Sequence, residues 1–125
     1  VTSTSLDAER SYDDGQFTAR TIHETERQKV VAGYFEPGQF IPVHAPDSDV
    51  AITVLSGSGV VRDGDDEHAV EPGDVVVVPE GTDRGVKASD DERLEATLVT
   101  APPPTDAEHD PVRRGLKTGQ FDPDS

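Results

Sequence analysis

At 125 residues the chain is long enough for one domain with a real core and too short for two. Its 26 Asp and Glu outweigh 11 Lys and Arg, a formal net charge of −15 at pH 7 that repels phosphate backbones and argues against nucleic acid as a partner. Cysteine is absent, which excludes a disulfide framework, a thiol nucleophile and a Cys-ligated metal.

The acidic surplus runs along the whole chain, and only Lys29, Lys87 and Lys117 are lysines. This reads as adaptation to high salt, where a short Debye length makes self-repulsion tolerable; an ordinary acidic surface is the alternative. Low hydrophobicity with high charge can also mean disorder. Here, however, sixteen valines cluster in short runs such as Val75-Val76-Val77-Val78, with Gly and Pro between the runs, the punctuation of an all-β domain. No apolar run approaches the roughly 18 residues needed to cross a bilayer, and Val1 to Glu9 lacks a basic segment followed by an apolar one. A soluble, cytoplasmic protein without membrane contact is expected.

Residues 1–16 are polar and are expected to form an arm, partly ordered at best, closing on the turn signal Asp13-Asp14-Gly15. A β-domain over residues 17–100 follows. Strands are predicted near 17–22, 28–35, 39–44, 50–55, 58–62, 67–71, 74–78, 84–88 and 92–99. The joints carry turn chemistry: Glu36-Pro37-Gly38, Ser56-Gly57-Ser58-Gly59, Asp63-Gly64-Asp65, Glu71-Pro72-Gly73 and Pro79-Glu80-Gly81. Residues 101–125 form a tail, in which Pro102-Pro103-Pro104 is a linker and Asp110-Pro111 reads as an N-cap followed by proline at the first helical position. One helix near 110–118 is predicted, ending at Gly119 and packing on the barrel's outside or on a partner subunit.

Two stretches carry the functional information. The first runs from Gly38-Gln39-Phe40-Ile41-Pro42-Val43-His44 to Ser56-Gly57, and the second is Gly73-Asp74-Val75-Val76-Val77-Val78-Pro79-Glu80-Gly81-Thr82-Asp83-Arg84. Together they resemble the two motifs of the cupin superfamily, G(X)5HXH(X)3,4E(X)6G and G(X)5PXG(X)2H(X)3N, over about residues 30 to 99. Gly73, Pro79 and Gly81 stand at the family's spacing, the glycine opening a strand and Pro-x-Gly ending it sharply. The resemblance implies an antiparallel jelly-roll, or double-stranded β-helix, barrel with a short C-terminal helix appended. Barrel closure also removes most exposed strand edges.

In that family two histidines, a carboxylate and a third histidine hold a divalent metal inside the barrel. Carried over position by position, only His44 matches. Pro46 stands at the second histidine, Arg84 at the third, and Ala88 at the asparagine, while counting back from Gly57 puts Val50 at the carboxylate. Strand alternation agrees, setting His44, Val50, Ile52 and Val54 inward and Asp49, Ala51 and Thr53 outward. A transition metal needs three or four N, O or S ligands, and a guanidinium supplies none. No metal cofactor is therefore expected, and ligation at His44 is disfavoured against a hydrogen-bonded pocket histidine.

Arg84 carries the sharpest implication. A permanent charge in an apolar cavity must find a carboxylate such as Asp49 or Asp83, a bound anion, or a path to solvent. His68 on a polar strand, His23 in a charged stretch and His109 in the tail do not replace the missing ligands unless the fold brings His68 or His23 to His44. Asp63, Asp65 and Asp66 read as a solvated acidic turn, lacking the ligand rhythm of an EF-hand. Tyr34, Phe35 and Phe40 sit beside the first motif, where a pocket mouth would be, although core filling is the commoner role.

The expected activity is metal-free binding of a small anionic molecule, with His44 and Arg84 as polar handles in a cavity walled by Phe40, Val50, Ile52, Val54, Leu94 and Leu98. The alternatives are a metal-dependent enzyme of the dioxygenase, isomerase or lyase class with an atypical ligand set, and a non-catalytic dimerisation module. Residues 75–78 and 30–35 are apolar at both parities, so a homodimer through one sheet is expected to cover their second face.

Overall fold

The computed structural model of the protein describes residues 3–122, so Val1 and Thr2 of the expected arm and residues 123–125 of the tail lie outside the described residues. Nine strands are described: β1 (Thr18–Glu24), β2 (Lys29–Phe35), β3 (Phe40–His44), β4 (Asp49–Gly57), β5 (Gly59–Asp63), β6 (Asp66–Val70), β7 (Val75–Val78), β8 (Arg84–Ala88) and β9 (Leu94–Ala101). They pair antiparallel into a five-stranded sheet, β1-β2-β9-β4-β7, that faces a four-stranded sheet, β3-β8-β5-β6. This is the expected jelly-roll barrel. The largest shifts in strand bounds are at β1, which runs on to Glu24, β4, which runs on to Gly57, and β9, which starts and ends about two residues late.

The lumen is filled at one end and open at the other. In β4, Val50, Ile52 and Val54 are buried while Asp49 is exposed, the alternation of a strand with one covered face. Register then sorts the inward residues along the barrel. Val54 pairs with Ala96, and Leu94 pairs with both Gly57 and Phe35, so these side chains meet Val61, Val70, Val86 and Ala88 in a closed core. At the other end Thr100 is flanked in register by Lys29 and Val50, and there the two sheets enclose space instead of packed side chains.

The N-terminal arm is more ordered than its polar composition suggests. Ser5 caps the short helix α1 (Leu6–Glu9), its Oγ accepting from the Ala8 amide at 3.1 Å. The Tyr34 hydroxyl donates to the Leu6 carbonyl at 2.8 Å, and the Tyr12 ring meets Tyr34 edge-on with centroids 5.7 Å apart. Glu95, only 5% exposed, anchors the arm. It accepts from Arg10 Nε at 2.7 Å, from Arg10 Nη2 at 3.0 Å and from the Tyr12 hydroxyl at 2.5 Å. The Arg10 hydrogen bonds hold its carboxyl below the usual carboxylate range against the opposing effect of burial.

This arm corrects one element of the dimer argument. The second face of 30–35 is covered by the chain's own N-terminus, with Ala32 and Tyr34 fully buried, whereas Val75 and Val77 are each 60% exposed.

The tail docks on the barrel. Asp106 to His109 form a turn that leads into α2 (Asp110–Thr118), so His109 and not Asp110 precedes the helix, and Asp110 instead accepts from Arg113 at 2.6 Å. Gly119, at φ 71°, ends the helix where sequence placed it. Beyond it the Val43 amide donates to the Phe121 carbonyl at 2.7 Å, which covers the free edge of β3. The seat of α2 is Gly115 against Pro42. A Cβ at position 115 would lie 2.6 Å from Pro42 Cγ and 2.7 Å from the Gln120 carbonyl oxygen. Gly115→Ala is therefore expected to lift the helix and cost about 1–3 kcal/mol, read as a lower urea midpoint; an unchanged midpoint would show that the tail does not stabilise the barrel.

Candidate functional site

The open end of the lumen is a cavity of about 320 Å³, room for about ten water molecules. The five-stranded sheet contributes Ala19, Lys29, Val31, Gly33, Val50, Ile52, Leu98 and Thr100, with Phe17 just ahead of β1. The four-stranded sheet contributes Ile41, His44, Arg84, Gly85 and Val86, and the tail closes the wall with Pro104, His109, Val112 and Arg113. Sequence reasoning left the tail out of the site. Its signal was the proline linker, long enough to bring a short helix back to the barrel, but nothing in the sequence said where that helix would land.

Five of the expected site residues, His44, Arg84, Val50, Ile52 and Leu98, meet at this cavity. Phe40, Val54 and Leu94 do not line it. Val54 and Leu94 lie in the closed end of the barrel, displaced along the strand by register. Phe40 is one residue out of phase: its neighbour Ile41 faces the cavity, while the Phe40 ring packs edge-on against Phe121 at 5.8 Å. Tyr34 and Phe35 are wholly buried and form no part of a mouth. His68 lies against Asp63 at 3.4 Å on the opposite edge of the sheet that carries His44, and His23 is exposed on β1 of the other sheet, so neither joins His44.

Arg84 is 4% exposed. The turn over residues 79–82 presents its carbonyls to the guanidinium: Nη2 donates to Pro79 at 2.9 Å and to Thr82 at 3.2 Å, and Nε donates to Thr82 at 3.3 Å. Asp49 holds this turn by accepting from the Glu80 amide at 2.9 Å. Among the described residues no carboxylate forms an ion pair with Arg84, so the pairing with Asp49 or Asp83 weighed from sequence is not made. Burial pulls its pKa down, opposed by the more distant charges of Asp49, Asp63 and Glu108. Nη1 is buried with no hydrogen-bond partner, and so is Thr100 Oγ1; both residues face the cavity.

His44 stands opposite Arg84 in the β3–β8 register. Its Nδ1 lies 2.9 Å from the Pro42 carbonyl and must donate to it, which leaves the ring lone pair on Nε2. Burial pushes its pKa down to about 4, helped by the charges of Arg84 and His109, so the ring is neutral at pH 7. His109 lies across the cavity with ring centroids 6.4 Å apart, and its pKa is also lowered by burial.

A depressed histidine pKa makes stability depend on pH in a defined direction. Between about 6.5 and about 4 the unfolded chain takes up a proton at His44 that the folded chain refuses, so stability falls as pH drops through that window and levels off below it. The loss is on the order of 3 kcal/mol at most. Glu95, whose folded pKa is lowered from 4.5, adds its own loss as pH falls through about 4.5 and below. Urea melts between pH 7 and 4 should show the decline, and His44→Gln should make it shallower, leaving the share of His109, whose pKa burial also lowers; an equal slope in the variant would show that His44 does not contribute.

The donors at this cavity do not suit the divalent metal that the resemblance implies. His44 and His109 are its nitrogen donors, no Asp, Glu or Cys among the described residues lines it, and a guanidinium occupies the third-histidine position. Among the described residues no cluster of three or more His, Cys, Asp or Glu is placed to hold an ion.

Comparison with known proteins agrees with the fold and not with one activity. No curated protein sequence matches the chain. The structure of TT1209 from Thermus thermophilus is 28% identical with a TM-score of 0.80, over 83% of this chain and all of that one. An RmlC-like cupin from Desulfovibrio desulfuricans is 34% identical with a TM-score of 0.72, over 82% of this chain and 98% of that one. KdgF from Halomonas sp. shares the fold at 20% identity, with a TM-score of 0.65 over 75% of this chain and 86% of that one. The Cupin_2 cupin-domain profile matches residues 33–100, more than half of the sequence and both stretches quoted from it above. By motif, barrel and profile together, the chain belongs to the cupin family.

Proposed function

We propose that the protein binds a small organic anion without a metal, its carboxylate or equivalent group held by Arg84 and its apolar body by the lumen. The observation that supports this best is the guanidinium itself. A buried charge with one nitrogen unpartnered, no carboxylate beside it and a cavity in front of it is costly unless something negative arrives. Thr100 Oγ1 is a second unpaired polar group at the same cavity. The lining is otherwise mostly apolar, as expected of a pocket where a few polar groups orient a largely hydrophobic ligand. Neutral His44 adds an acceptor at Nε2 for a hydroxyl or a protonated group elsewhere on the ligand.

The test uses 1-anilinonaphthalene-8-sulfonate, an anion with an apolar body, and octanoate as its competitor. Saturable binding at one site per chain, displaced by octanoate, is expected. Fluorescence that octanoate does not displace, together with no thermal stabilisation by octanoate, would overturn the reading.

A further inference from the structure

The distribution of charge around the cavity says more than that an anion is welcome. Among the described residues no Asp or Glu lines this cavity, strongly acidic though the chain is, whereas Lys29, Arg84 and Arg113 do. Arg113 is already engaged: it donates to the Asp110 carboxylate at 2.6 Å and to the Asp106 carbonyl at 3.0 Å, and pairs with the Asp106 carboxylate. Arg84 and Lys29 are different. Neither makes an ion pair among the described residues.

Lys29 is held at the cavity by strand geometry. Lys29, Val31 and Gly33 are the inward parity of β2, and Ala32 and Tyr34 are the parity under the N-terminal arm. Lys29 pairs directly with Thr100 of β9, so the ammonium-bearing side chain and the unpartnered Thr100 Oγ1 belong to one face of the five-stranded sheet. Glu24 is opposite Lys29 on β1, but it is exposed, makes no ion pair with it and does not line the cavity. Arg84 belongs to the facing sheet. Two cations therefore stand on opposite walls of one lumen, on sheets that pack about 10 Å apart, with Val31, Ile41, Val50 and Leu98 between them.

We infer that the ligand class is a linear dianion with an apolar middle, one carboxylate on Arg84 and the other on Lys29 and Thr100. The inference rests on the anion-binding reading and deepens it. It also fixes a sign. A second carboxylate enters an apolar cavity at a loss unless a cation receives it, so a diacid binds more weakly than a monoacid of equal length if Lys29 is idle and more tightly if Lys29 is its partner.

The experiment is calorimetric titration of the whole protein with the diacids from adipate to sebacate, against octanoate, at one ionic strength. One length is expected to bind at least about tenfold tighter than octanoate, the size of one added charge-assisted contact. Lys29→Met should abolish that preference, the diacid losing far more affinity than octanoate, and Lys29→Arg should retain it; thermal melts of both variants confirm folding. Octanoate binding with every diacid equal or weaker overturns the dianion and leaves the anion site standing. A preference that survives in Lys29→Met overturns it too. Failure of octanoate and of all the diacids overturns the anion reading itself.

Discussion

Arg84→Met is expected to weaken binding of anilinonaphthalene sulfonate and octanoate by between about tenfold and a hundredfold while leaving the ligand-free protein as stable as before or more so. The affinity loss follows from removing a charge-assisted contact worth about 1.5–3 kcal/mol. The stability result is the more telling half. Arg84 is buried without a carboxylate, and replacing a buried charge by an apolar side chain of similar length is often neutral or stabilising. The carbonyls it vacates belong to Pro79, which is exposed, and Thr82, which is half-buried, in a turn at the surface where water can take the place of the guanidinium. Thermal melts and probe titrations on the same preparation separate the two roles. A variant that melts well below the wild type and binds the probe equally well would make Arg84 a structural residue with no part in ligand binding.

The second large effect is on folding. Gly57→Ala is expected to cost more than about 4 kcal/mol, a large share of the roughly 5–15 kcal/mol that holds a domain together. Two independent causes converge. Gly57 has φ +82°, a conformation that costs a residue with a Cβ about 1–2 kcal/mol. The added Cβ would also overlap the Arg93 carbonyl oxygen and lie 2.7 Å from its carbon, and that backbone has no rotamer through which to yield. Because Gly57 pairs with Leu94 where β4 joins β9, relief means parting β4 from the central strand of the larger sheet at the closed core. Urea denaturation should give a folded fraction reduced even without denaturant, or a midpoint far below the wild type; a loss under about 1 kcal/mol would mean that the β4–β9 end is loose.

The barrel was legible because its information is local. Valine runs broken by Pro-Gly turns give strands and their ends, and the alternation of Val50, Ile52 and Val54 gives their inward face. The position of Arg84 at the end of the Pro79-Glu80-Gly81 turn was likewise readable, since the motif spacing places it. What could not be read was anything set by register along the barrel or by contacts between distant segments. Val54 and Leu94 have the correct parity and lie at the wrong end of the lumen, a distinction that exists only once β4, β9 and β2 are aligned. Phe40 and Ile41 differ by a single step, and the irregular pairing between Ile41 and His44 breaks the simple alternation that would have chosen between them. Nothing in the sequence sets Lys29 apart from Lys87 and Lys117. His109 looked remote, because 65 residues separate it from His44 in sequence while their rings lie 6.4 Å apart.

The cavity wall is assembled from two kinds of chain. Val50, Leu98 and Thr100 sit in a hydrogen-bonded ladder, where a change of side chain must respect the neighbours on both sides and a shift of one residue turns a whole strand inside out. Pro104, His109, Val112 and Arg113 belong to a tail fastened to the barrel through other residues, Pro102 at Ser48, Glu108 at Asp47, Gly115 at Pro42 and Phe121 at Val43. Substitution there alters what the lumen accepts without touching any strand register. The barrel is thus free to be inherited intact while its tail diversifies, so two chains with the same strands and different tails need not share a ligand.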